Sequence, residues 1–212
     1  MRKWDELPKF MRTDEVKQYY DILIRHEKEL KLKRYFDILL SMILLVILSP
    51  IMLVISIAIK LDSPGPVIYK QIRTMVQNAD KMGTQVTISQ DSRLTRVGKV
   101  IRGCRIDEFP QLINVLRGEM SFVGTRPELV KYVKGYTKEM YATLLLPAGI
   151  TSRASVCYKD EGEMLEHVED VDYAYIHEVL PEKMSYNLED LRKYSLWRDF
   201  MTMFMTVFAV LR

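Results

Sequence analysis

The feature that most constrains this chain is a run of 22 residues, Ile38–Ile59, that contains no charged side chain. Only three serines and one proline interrupt its apolar residues. At about 1.5 Å per residue, a straight helix over this run is long enough to cross the hydrocarbon core of a bilayer. The run begins too late, is too long and lacks the small-residue cleavage site of a signal peptide. We therefore expect a helix that enters a membrane.

Pro50 lies in the middle of this run and leaves two topologies open. A proline removes one helical hydrogen bond and clashes with the preceding turn, and the hydroxyl of Ser49 can satisfy a carbonyl that is freed in this way. Basic residues flank both ends of the run, which favours the cytoplasmic side for both. A re-entrant helix–break–helix over 35–60, bent at Ser49-Pro50, satisfies both features. A single-pass helix that tolerates the proline is the alternative.

Around this run the sequence predicts an α+β protein, mostly helical with short strands, anchored to the membrane at its N-terminal side. The N-terminal unit 1–34 contains an amphipathic helix predicted over Asp14–Leu32, because apolar residues recur there at helical spacing. Residues 61–212 are expected to form a cytoplasmic domain. Its last helix, over 196–211, is apolar except for two charged residues and two threonines. We expect this helix to lie at the membrane interface, with a core helix as the alternative.

Composition and charge narrow the function classes. Hydrophobic residues make up 48% and charged residues 28%, which excludes a disordered chain and a polytopic membrane protein. Cys104 and Cys157 lie far apart and near no Cys/His cluster, so neither a disulfide framework nor a structural zinc site is expected. Residues 60–106 carry nine basic and three acidic residues, whereas 158–192 carry three basic and eleven acidic ones. This asymmetry fits either two solvated faces or a basic segment that meets phosphates or anionic lipid.

The densest cluster of chemically capable residues surrounds two adjacent carboxylates. Asp107 and Glu108 open a helix predicted over 107–117, and SFVGTRPEL, which follows Met120, is predicted as a loop. Adjacent carboxylates near guanidinium groups can hold a divalent metal and a diphosphate. The structural alternative is that Asp107 caps the helix and Glu108 interacts with its dipole. Three arginines flank the pair: Arg102, Arg105 and Arg126.

A resemblance to a known family rests on residues 94–129, which read LTRVGKVIRGCRIDEFPQLINVLRGEMSFVGTRPEL. This stretch is similar to the signature of the bacterial sugar transferases, the monotopic phosphoglycosyl transferases that start lipid-linked glycan assembly. Residues 33–71 resemble the re-entrant helix of that family, with its Ser-Pro break and D-S-P-G-P turn. Residues 147–165 and 179–200 resemble the ends of one subgroup, so that the resemblance covers about residues 31–212.

The resemblance implies an enzyme that transfers a sugar-1-phosphate from a UDP-sugar to polyprenyl (undecaprenyl) phosphate and so initiates lipid-linked polysaccharide or glycoconjugate synthesis. It implies a ping-pong reaction with Asp107 as the nucleophile, Glu108 as a neighbouring base or metal-orienting acid, and Mg²⁺ held by both. Arg102, Arg126 and Pro127 match substrate-binding positions. The implied place is the cytoplasmic face of the inner membrane. The resemblance implies the lipid bilayer as a partner and no binding of nucleic acid. It leaves open whether the chain forms a homodimer or binds downstream glycosyltransferases.

The chain departs from the family between the first predicted strand, over 67–69, and the helix that follows it. The family usually carries a longer hairpin there, which ends in a basic K-F-R-T-M motif, whereas this chain runs straight through as VIYKQIRTMVQNADKMG. The lysine of that motif falls on Gln71, and Lys70 or Arg73 can take its place. We expect Arg73 to contact the donor phosphates, because it keeps its position next to Thr74-Met75. Two other hypotheses stay open. One is a catalytically weak or inactive relative that binds nucleotide sugar or partner enzymes, and the other is a membrane-anchored scaffold without a site.

Overall fold

The computed structural model of the chain describes residues 1–62, 74–75, 93–103, 106–159, 164, 168 and 170–211. Within these residues the protein is mostly helical with one small sheet, which confirms the expected mixture. The predicted strand around 67–69 lies outside them. The helices are α1 (Asp14–Arg25), α2 (Glu27–Asp62), α3 (Arg96–Gly103), α4 (Gln111–Arg117), α5 (Val130–Val133), α6 (Arg153–Cys157), α7 (Val171–Ala174), α8 (Leu180–Arg192) and α9 (Leu196–Leu211). The strands are β1 (Met120–Val123) and β2 (Ala148–Thr151), and Tyr175–Val179 form a π-helical turn.

Helix α1 begins where predicted and ends earlier. The Thr13 hydroxyl caps it by accepting a hydrogen bond from the Val16 N–H, as expected for an N-cap threonine. The chain leaves the helical conformation at His26, so the predicted extension to Leu32 is wrong and those residues belong to α2. The apolar face of α1 packs into a buried cluster with residues of the C-terminal half, which ties the N-terminus to the rest of the domain. This cluster includes Val16, Tyr19, Leu23, Ala142, Leu145, Leu188 and Leu191.

Helix α2 runs through Pro50 without interruption, so the predicted break at Ser49-Pro50 is wrong for the helix itself. A residue with an N–H at position 50 would bond the carbonyl of Val46 four residues earlier. The Ser49 hydroxyl donates to that carbonyl instead, at 2.9 Å. A side-chain donor thus replaces the missing backbone donor, and the helix continues to Asp62.

The polarity of α2 is inverted relative to a helix of a soluble protein. Three of the four residues that it buries are polar and recur every four positions, Lys33, Asp37 and Ser41, and the fourth is Ile59. Within the uncharged run, Ile38–Ile59, the exposed side chains are apolar except for Ser49, with Val46 74% exposed. Only 6% of its most apolar 18-residue window is buried, and by length and composition this helix could cross a membrane. A face of this kind suits an apolar surrounding.

Three polar side chains of α2 hold the elements that surround the candidate site. Arg34 donates to the carbonyl of Leu116 at the end of α4, at 2.8 Å. Lys33 donates to the carbonyl of Val123 in β1, at 2.6 Å, and the Asp37 carboxylate accepts from the Ser121 hydroxyl at 2.8 Å. The N-terminal end of α2 is therefore part of the support of this domain.

Strand β1 pairs in parallel with β2, with Met120 opposite Ala148 and Val123 opposite Thr151. The prediction of a loop over SFVGTRPEL is therefore wrong for its first three residues. Gly118, at φ 84°, ends α4 in the left-handed conformation, as its position predicts. The last helix, α9, is confirmed over Leu196–Leu211. One face lies on the sheet and on α2, where the Thr206 and Thr151 hydroxyls are 2.7 Å apart. The other face exposes large apolar side chains, among them Trp197, Phe204 and Phe208.

Candidate active site

Asp107 and Glu108 lie together in a short 3-10 turn, Ile106–Glu108, and both residues are buried. The α-helix predicted from Asp107 begins only at Gln111, with Pro110 at its N-cap. The alternative in which Asp107 caps that helix is therefore wrong. Burial of two adjacent carboxylates is costly unless cations or hydrogen bonds compensate it, and such sites are often functional.

Arg126 supplies a cation to this pair. Its guanidinium donates from Nη2 to Glu108 Oε1 at 2.7 Å and from Nη1 to the carbonyl of Ile150 at 3.4 Å. Arg126 lies three residues after the end of β1, and Ile150 lies in β2, so the sheet aims the arginine at the carboxylates. The structure thus brings together Asp107, Glu108 and Arg126, which the sequence placed in one cluster.

A close approach of two glycines fixes the start of the Arg126 loop. The Gly124 N–H donates to the carbonyl of Thr151 at 3.0 Å, and the Gly149 N–H donates to the carbonyl of Thr125 at 2.9 Å. A Cβ added at Gly149 would lie 2.2 Å from the nitrogen of Gly124. No side chain fits between these backbones, which is the reason for a glycine on each side.

We expect Gly149→Ala to destabilise the fold by about 1–3 kcal/mol, because the two backbones must separate to admit a methyl group. The measurement is chemical or thermal unfolding of the detergent-solubilised protein. Gly103→Ala is the matched control, since a Cβ added at Gly103 on α3 meets no other atom within 4 Å. Equal midpoints for the two variants would contradict the importance of this contact.

The remaining predicted substrate residues are placed differently. Arg102, on α3, donates from Nε to the hydroxyl of Thr74 at 3.0 Å. It is therefore held against the segment that follows Arg73, while Arg73 itself lies outside the described residues, as does Arg105. Pro127 is exposed and follows Arg126 directly.

A cavity of about 490 Å³ lies beside the carboxylate pair, and sequence reasoning missed it. Leucines of α2 line one wall, and apolar residues of α9 line the opposite one. Three charged side chains reach the cavity wall, those of Glu108, Arg126 and Lys159. The signal in the sequence was the four-residue spacing of Leu40, Leu44 and Leu48.

The two carboxylates suit a magnesium ion that also binds a substrate. Mg²⁺ prefers oxygen ligands and is usually bound by one or two carboxylates together with substrate phosphates. Asp107 and Glu108 supply two adjacent carboxylates of this kind. Among the residues that the structure describes, no group of three or more His, Cys, Asp or Glu side chains forms a protein cage for a metal. The donor set therefore fits an ion completed by a diphosphate.

Comparison with known proteins identifies the family of this chain. Residues 28–212 match the family model described as bacterial sugar transferase. The chain is 36% identical over 198 residues to the UDP-N-acetylgalactosamine-undecaprenyl-phosphate N-acetylgalactosaminephosphotransferase of Aeromonas hydrophila, covering 85% of this chain and 44% of that relative. It is 35% identical over 196 residues to the UDP-glucose:undecaprenyl-phosphate glucose-1-phosphate transferase of Escherichia coli, covering 84% and 39%.

A transferase of the same name from Caulobacter vibrioides is 33% identical over 198 residues, covering 84% of this chain and 69% of that relative. The chain spans less than half the length of the Aeromonas and Escherichia proteins, so the match concerns one part of each. The residues that the family model matches, 28–212, contain the carboxylate pair, the Arg126 loop, α9 and all but the first residue of α2. The predicted resemblance is confirmed, and this chain belongs to the bacterial sugar transferase family.

Proposed function

We propose that this protein transfers a sugar-1-phosphate from a UDP-sugar to polyprenyl phosphate and so initiates the synthesis of a lipid-linked polysaccharide or glycoconjugate. The observation that carries the proposal is the ion pair of Glu108 with Arg126, 2.7 Å apart on the wall of an apolar cavity, with the buried Asp107 directly before Glu108 in the chain. The relatives named above act, by their names, on UDP-sugars and undecaprenyl phosphate. A cation beside carboxylates and an apolar space beside both suit a charged donor and a lipid acceptor.

In the proposed reaction, the Asp107 carboxylate attacks the sugar-linked phosphorus of the donor. The bond from this phosphorus to the bridging oxygen breaks, and UMP leaves with the electron pair. A phosphate oxygen of the polyprenyl phosphate then attacks the same phosphorus, and Asp107 departs as a carboxylate. Both steps bring anions together, so the cationic Arg126 and Arg102 lower the barrier by binding phosphate oxygens. Mg²⁺ bound by Asp107, Glu108 and the diphosphate would neutralise charge on the leaving oxygen.

The cavity beside the carboxylate pair is the proposed binding site of the polyprenyl phosphate acceptor. Its walls of leucine, methionine and valine side chains can bury the first isoprene units of a polyprenyl chain without desolvating polar groups. Lys159 and Arg126 are the basic residues among those that line it in the described part of the chain. They can hold the acceptor phosphate close to the carboxylates.

We further propose that the protein is monotopic and lies on the cytoplasmic face of the inner membrane. Both ends of α2 contact the same domain. Near its start, Lys33 bonds Val123, and at its end Ile59 packs against Ile101 while Asp62 accepts from the Val97 N–H at 3.2 Å. A domain on one side of a bilayer reaches both ends of a helix only if that helix does not cross. The exposed aromatic face of α9 would rest on the same surface.

The proposed activity is tested with the purified full chain in nanodiscs, undecaprenyl phosphate and a panel of radiolabelled UDP-sugars. One donor should yield labelled lipid and an equal amount of UMP. Binding of the nucleotide sugar without labelled lipid would overturn the proposal and favour the inactive relative. The absence of both would favour the scaffold.

The monotopic placement predicts that both flanks of α2 stay inside the cell. In a background without Cys104 and Cys157, single cysteines at Arg25 and Leu61 should both resist a membrane-impermeant thiol reagent in intact cells. Both should react after lysis, which is the control for accessibility. Labelling of only one of them in intact cells would mean that α2 crosses the membrane.

A further inference from the structure

A buried ionic cluster lies directly behind the Arg126 loop and takes no part in the proposed reaction. The Lys183 ammonium lies 3.5 Å from Glu128 Oε1 and donates to the Tyr175 hydroxyl at 2.9 Å. That hydroxyl donates to the same Glu128 oxygen at 2.8 Å. The side chains of Lys183 and Glu128 are only 5% and 8% exposed. Buried ion pairs are often no more stabilising than apolar side chains of the same volume, so stability alone does not account for this cluster.

The π-helical turn, Tyr175–Val179, leads directly into α8. Tyr175 is the first residue of this turn, and Lys183 lies eight residues later in α8. In a regular α-helix, residues eight apart differ by about 80° around the axis. The i→i+5 hydrogen bonds of a π turn take up an extra residue, which brings Tyr175 and Lys183 to the same side. The geometry thus depends on an irregularity of a kind that is frequent at functional sites.

The cluster holds the C-terminal end of the Arg126 loop, at Glu128, whereas Gly124 and Gly149 hold its N-terminal end. Glu128 is two residues beyond Arg126, and Pro127 between them has a fixed φ, so the segment is short and stiff. At the other end, Gly124 is fastened to β2. A displacement of Glu128 is therefore transmitted to the guanidinium that pairs with Glu108.

We propose that Lys183 and Tyr175 are positioning residues for Arg126, acting through Glu128. This inference rests on the proposed function, in which Arg126 binds the donor. Loss of the Lys183 ammonium removes a cation from beside the buried Glu128 carboxylate, which favours movement of the carboxylate towards water together with the loop. The consequence is a misplaced Arg126 with Asp107 and Glu108 unchanged.

The test compares Lys183→Met with the wild-type chain, both in nanodiscs and below their unfolding temperatures. Misplacement of a binding group by about 1 Å can cost about a hundredfold, so we expect kcat/KM for the donor to fall by about that factor, mainly through KM. UMP affinity, measured by calorimetry, should fall in parallel. Lys131→Met is the control, because Lys131 forms a more exposed pair with Asp172 on neighbouring elements. It should stay within about twofold of wild type, as expected for a surface pair. If Lys183→Met fails to fold, Tyr175→Phe removes only the bridging hydroxyl and replaces it in the comparison.

A second background separates positioning from general damage. The Arg126→Lys variant lacks the guanidinium that Lys183 is proposed to position. If the two residues act together, adding Lys183→Met to Arg126→Lys should lower the affinity for UMP by less than about threefold. An equal loss in both backgrounds, or an unchanged UMP affinity in a folded Lys183→Met variant, would overturn the inference. A wild-type chain that binds UMP and transfers no sugar would overturn the proposed function instead. The UMP measurements would still decide the role of Lys183.

Discussion

Asp107→Asn should abolish sugar-1-phosphate transfer, with a loss of at least about a thousandfold. The amide keeps the size of the carboxylate and removes the negative charge that makes the attacking oxygen nucleophilic. Folding should be unaffected, because Asp107 lies in a 3-10 turn formed by backbone hydrogen bonds and does not cap α4. The measurement is the labelled-lipid assay, together with the intact mass of the protein after incubation with donor alone. The wild-type mass should increase by one phosphosugar, and the variant mass should not.

Two further variants sharpen this test. Asp107→Ala excludes residual activity that arises when asparagine slowly deamidates to aspartate. Asp21→Asn is the matched control, because Asp21 is half exposed on α1 and pairs with Lys17 on the same helix. Asp21→Asn should transfer at the wild-type rate. Transfer by Asp107→Ala at more than a few per cent of that rate would contradict a covalent aspartyl intermediate.

Lys33→Met should have the largest effect on stability, a loss of about 3–5 kcal/mol in the free energy of unfolding. The Lys33 ammonium forms a salt bridge with Asp199 of α9 and donates to the carbonyl of Val123. Methionine can fill the space, but it leaves the Asp199 carboxylate buried without a cation. Burial already raises the pKa of Asp199 although Lys33 lowers it, so the folded state binds this proton more tightly than the unfolded state. Without Lys33 the loss should therefore be larger at pH 8 than at pH 5.

Lys31→Met is the control for this stability prediction. Lys31 lies two residues away on the same helix and pairs with Glu27, with side chains 68% and 61% exposed. An exposed pair contributes little, so the change should be below about 1 kcal/mol. Both variants are compared by denaturant unfolding in the same detergent. Similar midpoints for Lys33→Met and Lys31→Met would mean that the buried pair does not support the fold.

The features that sequence alone predicted correctly are those that depend on nearby residues. The helix over the uncharged run, the apolar C-terminal helix and the end of α4 at Arg117 all follow from local composition and spacing. Strand β1 was missed because it has only four residues and its partner lies 28 positions later in the chain. Two hydrogen bonds to Asp37, from the Ser121 hydroxyl and the Phe122 N–H, help to hold it in place. No local sequence pattern predicts a strand that depends on partners so distant in the chain.

The candidate site was only partly predictable for the same reason. The cluster of Asp107, Glu108 and Arg126 is visible in the sequence, but the pairing of Glu108 with Arg126 depends on the parallel sheet that aims the loop. The predicted break at Pro50 was wrong because proline lacks a backbone donor, but the Ser49 hydroxyl supplies a donor in its place. The cavity was missed because the leucines of α2 were assigned to lipid alone.

The polar stripe on α2 bears on how this protein can be handled. A fragment that begins after Asp62 would lack Lys33, Arg34 and Asp37, and the carbonyls of Val123 and Leu116 would lose their donors. Truncation of the long apolar helix would thus also remove the side chains that hold β1 and the end of α4 beside the candidate active site. Inhibitor screens and crystallisation trials on this protein therefore call for the intact helix in a lipid-like medium. A small molecule that separates Lys33 and Asp37 of α2 from β1 would displace the strand that leads into the Arg126 loop.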